Sequence, residues 1–534
     1  MPFRSIAFLA LAASLAGCSG DDSSSGAPGM ERDGVVRPIA TGITLSEVAL
    51  MQVLKVPLAK DGRPAERGLA PLIAGRDALA RLYVKPEHDY PPSITARIQL
   101  TVDTPTGQVQ AEVSATKTVV HASTESDLES TINVPIPGRL VQATSKASVT
   151  LHAADGVVGL GAPGDPASVS ASAARYPANG TLAPLDAKPG GEPLRVTLVP
   201  VRYDADGSHR LPDVSAEQVE RYRQLLYRLF PVSAVEITVH APFPWNRRIT
   251  GDRAGFTPIL EAVGELRVAE RAEKSVFYHG LFTPTADARD LYVGIPERDT
   301  LAGLAIQGNS VSVGVGYADT RERADQSAIA AAHEIGHSHG LFHAPCGDPD
   351  APDPEYPSDA RHSAASIGQW GYDQVLGRLV DPGGANPARD FMSYCFPRWI
   401  SDYHLAKLLE RSRANAESSS FRRALPGVTR RDVSPGAHVA FRVGLDGELT
   451  ALPHRESGDV PLEYAEPRTV WWRAGDGATV GRSTARFFPY DHAAGGELWV
   501  PEAPRGAASG ELEGAGVAGV TFRPSDSLAA HSPR

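Results

Sequence analysis

The sequence predicts an α+β protein in which a central region of mixed strands and helices lies between two all-β regions. In the N-terminal region, runs such as Ala80 to Val84 and Ala96 to Val102 alternate apolar and polar residues, as strands with one buried face do. In the central region, Ser215 to Gln218 is a capping-box pattern that predicts the start of a helix. Alternating runs return near the C-terminus, for example at Thr469 to Trp472.

The length of the chain, 534 residues, predicts more than one domain. A Pro- and Gly-rich stretch from Ala187 to Pro193 predicts the boundary between the first all-β region and the central region. The predicted order is a signal peptide at 1–17, a flexible tether at 18–39, an N-terminal β-sandwich-like domain at 40–187, a central domain at 192–422, a C-terminal β-domain at 426–525 and a polar tail at 526–534.

Composition narrows the classes of protein and of partner. With 42% hydrophobic and 22% charged residues, the chain has the composition of a soluble globular protein. Its net charge is −11 and it has no dense basic patch, so we expect no nucleic-acid partner. Beyond the N-terminus no uncharged apolar run reaches about 18 residues, so no transmembrane helix is predicted.

The N-terminus resembles the export signal of a bacterial lipoprotein. Arg4 precedes an apolar run that starts at Ile6 and ends in Leu-Ala-Gly followed by Cys18. This pattern implies that Cys18 is lipidated, which would anchor the chain to a membrane of the bacterial cell envelope. Ser19 follows the cysteine, which favours the outer membrane. The alternative is an ordinary secretory signal with an incidental cysteine.

The central region is predicted element by element from its apolar periodicity and its capping residues. Ala330 to Ala332 are small, as close packing of a helix on a sheet requires. The predicted elements are a strand at Leu194–Tyr203, a helix from Ser215 to Phe230, a strand at Val235–His240, a helix at 257–272, short strands at Ser275–Tyr278 and Asp290–Ile295, an extended segment at Leu304–Val315, a helix capped by Asp325 or Ser327, and a closing helix from Ser401 to about Ala414.

One segment carries three histidines at fixed spacing around a glutamate and a glycine. Because His333 and His337 are four residues apart, a helix places both imidazoles on one face, where they can bind one ion. Gly340 can adopt a positive φ, which would end the helix and bring His343 to the same ion. Glu334 lies next to the first histidine, where its carboxylate can reach a water on that ion.

Three protein ligands leave a fourth position open, which is typical of a catalytic rather than a structural zinc site. We therefore expect one Zn²⁺ on the three histidines, with Glu334 as the general base. His339 would face away from them, so we expect it beside the site or on the surface. The alternative for the whole segment is a histidine-rich surface helix.

The pattern H-E-x-x-H-x-x-G-x-x-H resembles the extended zinc-binding motif of the metzincin metalloproteases. The resemblance implies a methionine turn beneath the zinc, and Met392 matches it. It also implies that Tyr394 is an additional zinc ligand or a donor to the oxyanion; a core tyrosine beside the turn is the alternative. The order of predicted elements resembles the metzincin catalytic domain over roughly residues 192–420, in which an edge strand before the zinc helix pairs with substrate.

The chain has 3 cysteines. If Cys18 carries lipid, Cys346 and Cys395 remain, one shortly after the third histidine and one shortly after the methionine turn, both near the metal in the metzincin fold. Export places them in an oxidising compartment, so we expect a disulfide between them. Two free buried thiols are the alternative.

The loop at 343–362 is rich in acidic residues and proline. Clustered carboxylates can bind calcium. The prolines, and the lack of a glycine-centred loop pattern, favour a solvated insertion, so Ca²⁺ is the less favoured interpretation. The carboxylates are those of Asp348, Asp350, Asp353, Glu355 and Asp359.

The resemblance implies a zinc endopeptidase that cuts extracellular or envelope proteins, and we expect the protein to be a monomer. Trp370 to Asp373 and the flanking β-domains are similar to features of secreted bacterial proteases that cut mucin-type glycoproteins, which implies a protein or glycoprotein substrate. One alternative is a non-catalytic surface lipoprotein that binds glycan or protein, and Glu334 argues against it because a scaffold needs no general base. A second is a zinc aminopeptidase, in which a glutamate usually takes the place that His343 holds here.

Overall fold

The structure, a computed structural model, describes residues 39–87, 93–154, 171–190, 193–273, 275–423, 437–444, 448–452, 455–456, 465–492, 495–513 and 521–522. Across these ranges the fold is β-rich with four α-helices, so the prediction of mixed strands and helices is confirmed at that level. The predicted signal peptide, Cys18 and the C-terminal tail lie outside the described residues. Within these ranges, no helix has both the length and the apolar character needed to cross a membrane.

The N-terminal region forms two antiparallel sheets that share one apolar core. One sheet has the order β3-β2-β1-β4-β7 and the other β10-β8-β5-β6, with β9 beside β8. Leu50 and Leu82 of the first sheet belong to the same buried cluster as Ile98 and Leu151 of the second, as in a β-sandwich. The strands are β1 Ile43–Met51, β2 Lys55–Lys60, β3 Arg63–Pro64, β4 Ala78–Pro86, β5 Ser93–Thr104, β6 Gly107–Thr118, β7 Ile132–Ile136, β8 Lys146–Ala153, β9 Arg175–Tyr176 and β10 Ala183–Pro184.

The central region is a twisted sheet covered by helices on both faces. Its elements are β11 Leu194–Tyr203, α1 Ala216–Leu229, β12 Val235–Val239, β13 Phe243–Trp245, α2 Arg253–Ala269, β14 Val276–Phe282, β15 Gly303–Ala305, β16 Val311–Val315, α3 Arg321–Ser338, β17 Gly371–Asp373, β18 Arg378–Val380, β19 Arg389–Asp390, β20 Arg398–Trp399 and α4 Asp402–Arg423. The main sheet has the order β12-β11-β14-β16-β15, with β13 also beside β11.

In this main sheet, the strands from β12 to β16 run parallel, and β15 pairs antiparallel with β16 at the edge. Side chains of β14 alternate between two cores. Phe277 and Leu281 pack with α1 and α3, whereas Tyr278 and Phe282 pack with α2. The edge strand β15 therefore lies beside α3, next to the predicted ligands.

Two predicted extended segments of the central region were wrong in detail. Asp290–Ile295 is not a strand, because the Asp287 carboxylate accepts the Arg289 N–H and starts the 3₁₀ helix Ala288–Tyr292. Leu304–Val315 is not one extended run but the hairpin of β15 and β16.

The cap of α3 is Thr320 rather than Asp325 or Ser327. The Thr320 hydroxyl accepts the Arg323 N–H at 3.2 Å, so the helix starts earlier than predicted. Ser327 donates to the Tyr317 carbonyl and Asp325 pairs with Arg221, so both are engaged elsewhere.

The segment Trp370 to Asp373 joins the N-terminal region to the central region. Lys55 donates its N–H to the Trp370 carbonyl at 2.8 Å, and Tyr372 donates to the Val53 carbonyl at 3.0 Å. The segment therefore has a structural part in this interface.

The C-terminal region is an antiparallel sheet of the order β22-β21-β26-β25-β24-β27-β28, with β23 beside β21. Its side chains Phe488, Tyr490 and Trp499 share a buried cluster with Phe256 of α2 and Leu304 of β15. This sheet therefore packs on the edge-strand side of the central region. Its strands are β21 Ala437–Val443, β22 Leu449–Ala451, β23 Arg455–Glu456, β24 Glu466–Arg473, β25 Thr479–Pro489, β26 Gly496–Pro501, β27 Ser509–Glu513 and β28 Thr521–Phe522.

Arg76 holds the N-terminal region on helix α1. Arg76 is 1% exposed, and its guanidinium donates to the carbonyls of Tyr227, Phe230 and Val232 at 2.6, 2.8 and 3.0 Å. We expect Arg76→Met, which keeps the apolar stem but removes the donors, to lower the free energy of unfolding by about 3 kcal/mol. Urea unfolding measures this. The exposed Arg139→Met should stay within about 0.5 kcal/mol of wild type, and equal loss in both variants would contradict this account.

Candidate metal centre

Helix α3 places two of the predicted ligands side by side. Its apolar face, which includes Ala331 and Ile335, lies in the core shared with α1. His333 and His337 lie one helical turn apart and are both buried, with their ring centroids 4.8 Å apart. The helix therefore presents two imidazoles to one point, as the spacing predicted.

The third histidine is brought in by the turn that ends α3. Gly340 has φ +92°, a conformation that favours glycine. Gly340 donates its N–H to the His337 carbonyl at 2.8 Å, and Leu341 donates to the Gly336 carbonyl at 3.1 Å, so the turn satisfies the last carbonyls of the helix. His343 follows this turn and is buried.

The ring nitrogens of the three histidines converge. His337 Nε2 lies 3.2 Å from His333 Nε2 and 3.1 Å from His343 Nε2. Ligand nitrogens bound about 2.05 Å from a tetrahedral ion would be roughly 3.3 Å apart. The observed separations therefore match those of ligands on one ion.

The opposite ring nitrogens show that a cation could be held where the three histidines converge. His333 Nδ1 lies 3.0 Å from the Phe391 carbonyl, and His337 Nδ1 lies 2.7 Å from the Leu341 carbonyl. His343 Nδ1 lies 2.5 Å from the Asp350 carbonyl. Since a carbonyl can only accept, each Nδ1 carries the proton and each Nε2 presents a lone pair. Lone pairs at such short range repel, and a shared cation removes the repulsion.

The histidines also have the protonation state that a metal requires. Burial lowers the pKa of His333 and His337 well below the usual value, and the neighbouring imidazoles lower it further. Burial likewise lowers the pKa of His343. Neutral imidazoles are the form that binds metal ions, so this buried cluster can hold one.

Glu334 is buried against the edge strand and against a second carboxylate. A Cβ added at Gly303 of β15 would lie 2.6 Å from Glu334 Oε1, so only glycine leaves room there. Burial raises the pKa of Glu334 well above its usual value, and the charge of Asp491 raises it further. Burial also raises the pKa of Asp491 to about 7. The two carboxylates lie close together, and a bound cation would favour their ionised forms.

Asp491 and His492 are functional candidates that the sequence did not predict. They lie in the connection between β25 and β26, about 150 residues after the histidine motif, and no spacing rule links them to it. His492 joins the three predicted histidines in a set whose ligand atoms all lie within 4.8 Å of one another. Asp491, His492 and Glu334 form a second such set. The only signal in the sequence is two adjacent metal-binding residue types between two strands.

Tyr394 lies beside these histidines. Its hydroxyl is 2.9 Å from His492 Nδ1, and its ring meets the His343 ring edge to face at a centroid distance of 5.2 Å. Burial raises the pKa of Tyr394, and the charge of Glu334 raises it further, so the phenol keeps its proton at neutral pH. It can therefore donate a hydrogen bond into the centre.

Met392 is fully buried against the ligand helix. A Cβ added at Gly336, between the two ligand histidines, would lie 2.6 Å from Met392 Sδ. The Met392 carbonyl accepts the Ala344 N–H at 3.1 Å, next to His343. The methionine turn therefore supports both the helix and the third ligand.

The predicted disulfide is confirmed. Cys346 and Cys395 are bonded, with their Cα atoms 5.7 Å apart. Tyr394 donates its N–H to the Cys346 carbonyl at 3.0 Å, so the bond and the backbone together join the segment after His343 to the methionine turn.

His339 faces away from the ligands, but it is a core residue rather than a surface one. It is buried and stacks on Phe277 at a centroid distance of 4.0 Å. Burial lowers the pKa of His339 to about 3, so the ring is neutral. Its side chain is held because the Ile335 carbonyl accepts from Nδ1 at 2.7 Å.

The acidic loop contributes to the fold through two of its residues. Asp353 is buried and accepts from Lys407 at 2.9 Å and from Tyr403 at 3.0 Å, so it is not simply solvated. Asp350 supplies the carbonyl that holds His343. Among the residues that the structure covers, the potential metal-binding sets contain no carboxylate of this loop.

A scan against models of known protein families and a search of curated proteins both find no match for this chain. The buried histidine cluster is therefore the feature that indicates a function for this chain.

We expect Cys346→Ser or Cys395→Ser to lower the free energy of unfolding by about 2–4 kcal/mol, since the bond closes a long loop. Both variants should also lose metal faster to a chelator, because the methionine turn supports His343. The double variant should be no worse than either single variant. Wild-type protein after mild reduction is the matched control; stability and metal retention unaffected by reduction would contradict this role.

Proposed function

We propose that this chain is a zinc-dependent endopeptidase of the metzincin type. The observation that carries the proposal is the convergence of three Nε2 lone pairs from His333, His337 and His343 beside the buried carboxylate of Glu334. Nitrogen-only sites of this kind suit zinc, and a ligand-bearing helix with an adjacent glutamate suits hydrolysis.

Different residues of the chain would carry out different steps of peptide hydrolysis. Bound zinc would lower the pKa of a water and polarise the scissile carbonyl. Glu334 would accept the water proton and deliver it to the leaving amine. Tyr394 would donate to the developing oxyanion. The edge strand β15 would pair with the extended backbone of the substrate.

We propose extracellular or envelope proteins, including glycoproteins, as substrates. This follows from the lipoprotein-like N-terminus at Cys18, which would anchor a monomeric enzyme to the bacterial outer membrane. A digest of an unbiased peptide library, with and without a chelator, tests the proposal directly.

A second candidate function is supported by His492. Four protein ligands are typical of structural zinc sites, and His492 would supply a fourth nitrogen. On this alternative the chain is a non-catalytic surface lipoprotein that binds glycan or protein. Glu334 favours the peptidase, because a structural site has no use for a buried carboxylate next to the ligands.

Glu334→Gln separates the two candidates. The substitution keeps size and shape but removes the base, so we expect full metal content and a fall in turnover of about 10²-fold or more. Turnover of a cleavable library peptide and metal content are measured on the same sample. Glu322→Gln, on the exposed first turn of the same helix, is the matched control and should behave like wild type. Wild-type turnover in Glu334→Gln would rule out the assigned base.

A further inference from the structure

The connection between β25 and β26 enters the metal centre. The segment from Pro489, the last residue of β25, to Asp491 pairs with Ala305 at the end of β15 and with the two residues that follow it. Asp491 donates its N–H to the Ala305 carbonyl at 3.1 Å, and Gln307 donates to the Pro489 carbonyl at 3.0 Å. Ile306 and Tyr490 form an antiparallel bridge. The connection is therefore bonded to this edge as an added strand would be.

This edge is the one that a peptide substrate would need. β15 ends the described main sheet, with β16 on its other side. An extended peptide binds such an edge through its backbone N–H and carbonyl groups. Asp491 also accepts the Ala305 N–H through its carboxylate at 2.6 Å, so this donor is taken as well.

The side chains of the same connection lie beside the clustered histidines. The His492 ring lies 4.5 Å from the His343 ring and 5.6 Å from the His337 ring, centroid to centroid. When its Nδ1–H donates to the Tyr394 oxygen, the Nε2 lone pair is free for a metal. His492 could then supply a fourth ligand, at the position where a water would otherwise bind.

Asp491 lies close to Glu334, the proposed general base. Its Oδ2 lies 3.4 Å from His337 Nε2, and its carboxylate belongs to the same close set as that of Glu334. The chain thus places an acidic residue of its own where the water and the scissile bond would meet Glu334.

The connection is held in place by the packing of the C-terminal sheet. Arg442 of β21 lies 2.7 Å from Glu261 and 3.0 Å from Glu265 of α2. The Tyr490 hydroxyl donates to Glu261 at 3.1 Å, and its ring lies in the buried cluster with α2. The connection is therefore fixed by the packing of the C-terminal sheet against α2.

We propose that the C-terminal β-domain is a built-in inhibitor of the peptidase, with Pro489–His492 in the substrate position and His492 as the fourth metal ligand. The inference rests on the proposed function. A tethered occupant acts at an effective concentration of about millimolar, so free peptides compete poorly. Undocking or proteolytic removal of the C-terminal domain opens the centre.

The test compares full-length wild type with His492→Ala and with Asp491→Ala/His492→Ala. Cobalt(II) is loaded as a probe, and the visible absorption reports the ligands. We expect a changed spectrum in both variants and a rise in kcat/KM on a library peptide of about tenfold or more. Asp476→Ala, in the turn at the far end of β25, is the matched control and should keep the wild-type spectrum and rate.

Arg442→Glu is a second test of inhibition, and it leaves His492 unchanged. It sets a negative charge against Glu261 and Glu265, so it should undock the sheet and raise turnover even if the His492 variants fold poorly. Thermal unfolding of each variant identifies those that fold.

The outcomes separate the inhibitor from the peptidase. A changed cobalt spectrum without turnover in any folded variant would contradict the proposed function and retain His492 as a ligand. Turnover in wild type that is unchanged or lower in folded His492→Ala would overturn inhibition while leaving the peptidase intact. An unchanged spectrum in His492→Ala would reject the fourth ligand.

Discussion

The hydrogen bonds from three imidazole Nδ1 groups to backbone carbonyls are the constraint on which the site depends. They fix which nitrogen of each ring carries the proton and turn the three lone pairs toward one point. The accepting carbonyls belong to Phe391, Leu341 and Asp350, which lie on three different segments. The turn at Gly340 and the Cys346–Cys395 bond hold those segments in register with α3.

The same geometry underlies both the proposed peptidase and its proposed inhibition. The edge strand β15 lies next to α3, so an extended chain bonded to that edge would lie near the histidines. In this structure the extended chain is the protein's own connection, with Asp491 and His492 at the point of entry. Under the proposed function, a substrate peptide and this connection would compete for one edge and one coordination position.

Local sequence patterns predicted many helices and strands and the three clustered histidines. Contacts between distant parts of the chain could not be predicted in this way. The strand Leu194–Tyr203 and the Ser215 cap follow from apolar runs and capping chemistry within a few residues. His492 could not be predicted, because its place depends on how a C-terminal sheet docks on α2. The buried stacking of His339 on Phe277 was missed for the same reason, since helix periodicity gives its direction but not its neighbours.

Metal content per chain tests the central claim most directly. Protein purified without added metal and analysed by plasma mass spectrometry should carry about one zinc ion per chain. The exposed variant His121→Ala should match it, and the combined His333→Ala, His337→Ala and His343→Ala variant should carry none. Stoichiometric metal retained in that triple variant would contradict the assignment of the three histidines as the metal centre.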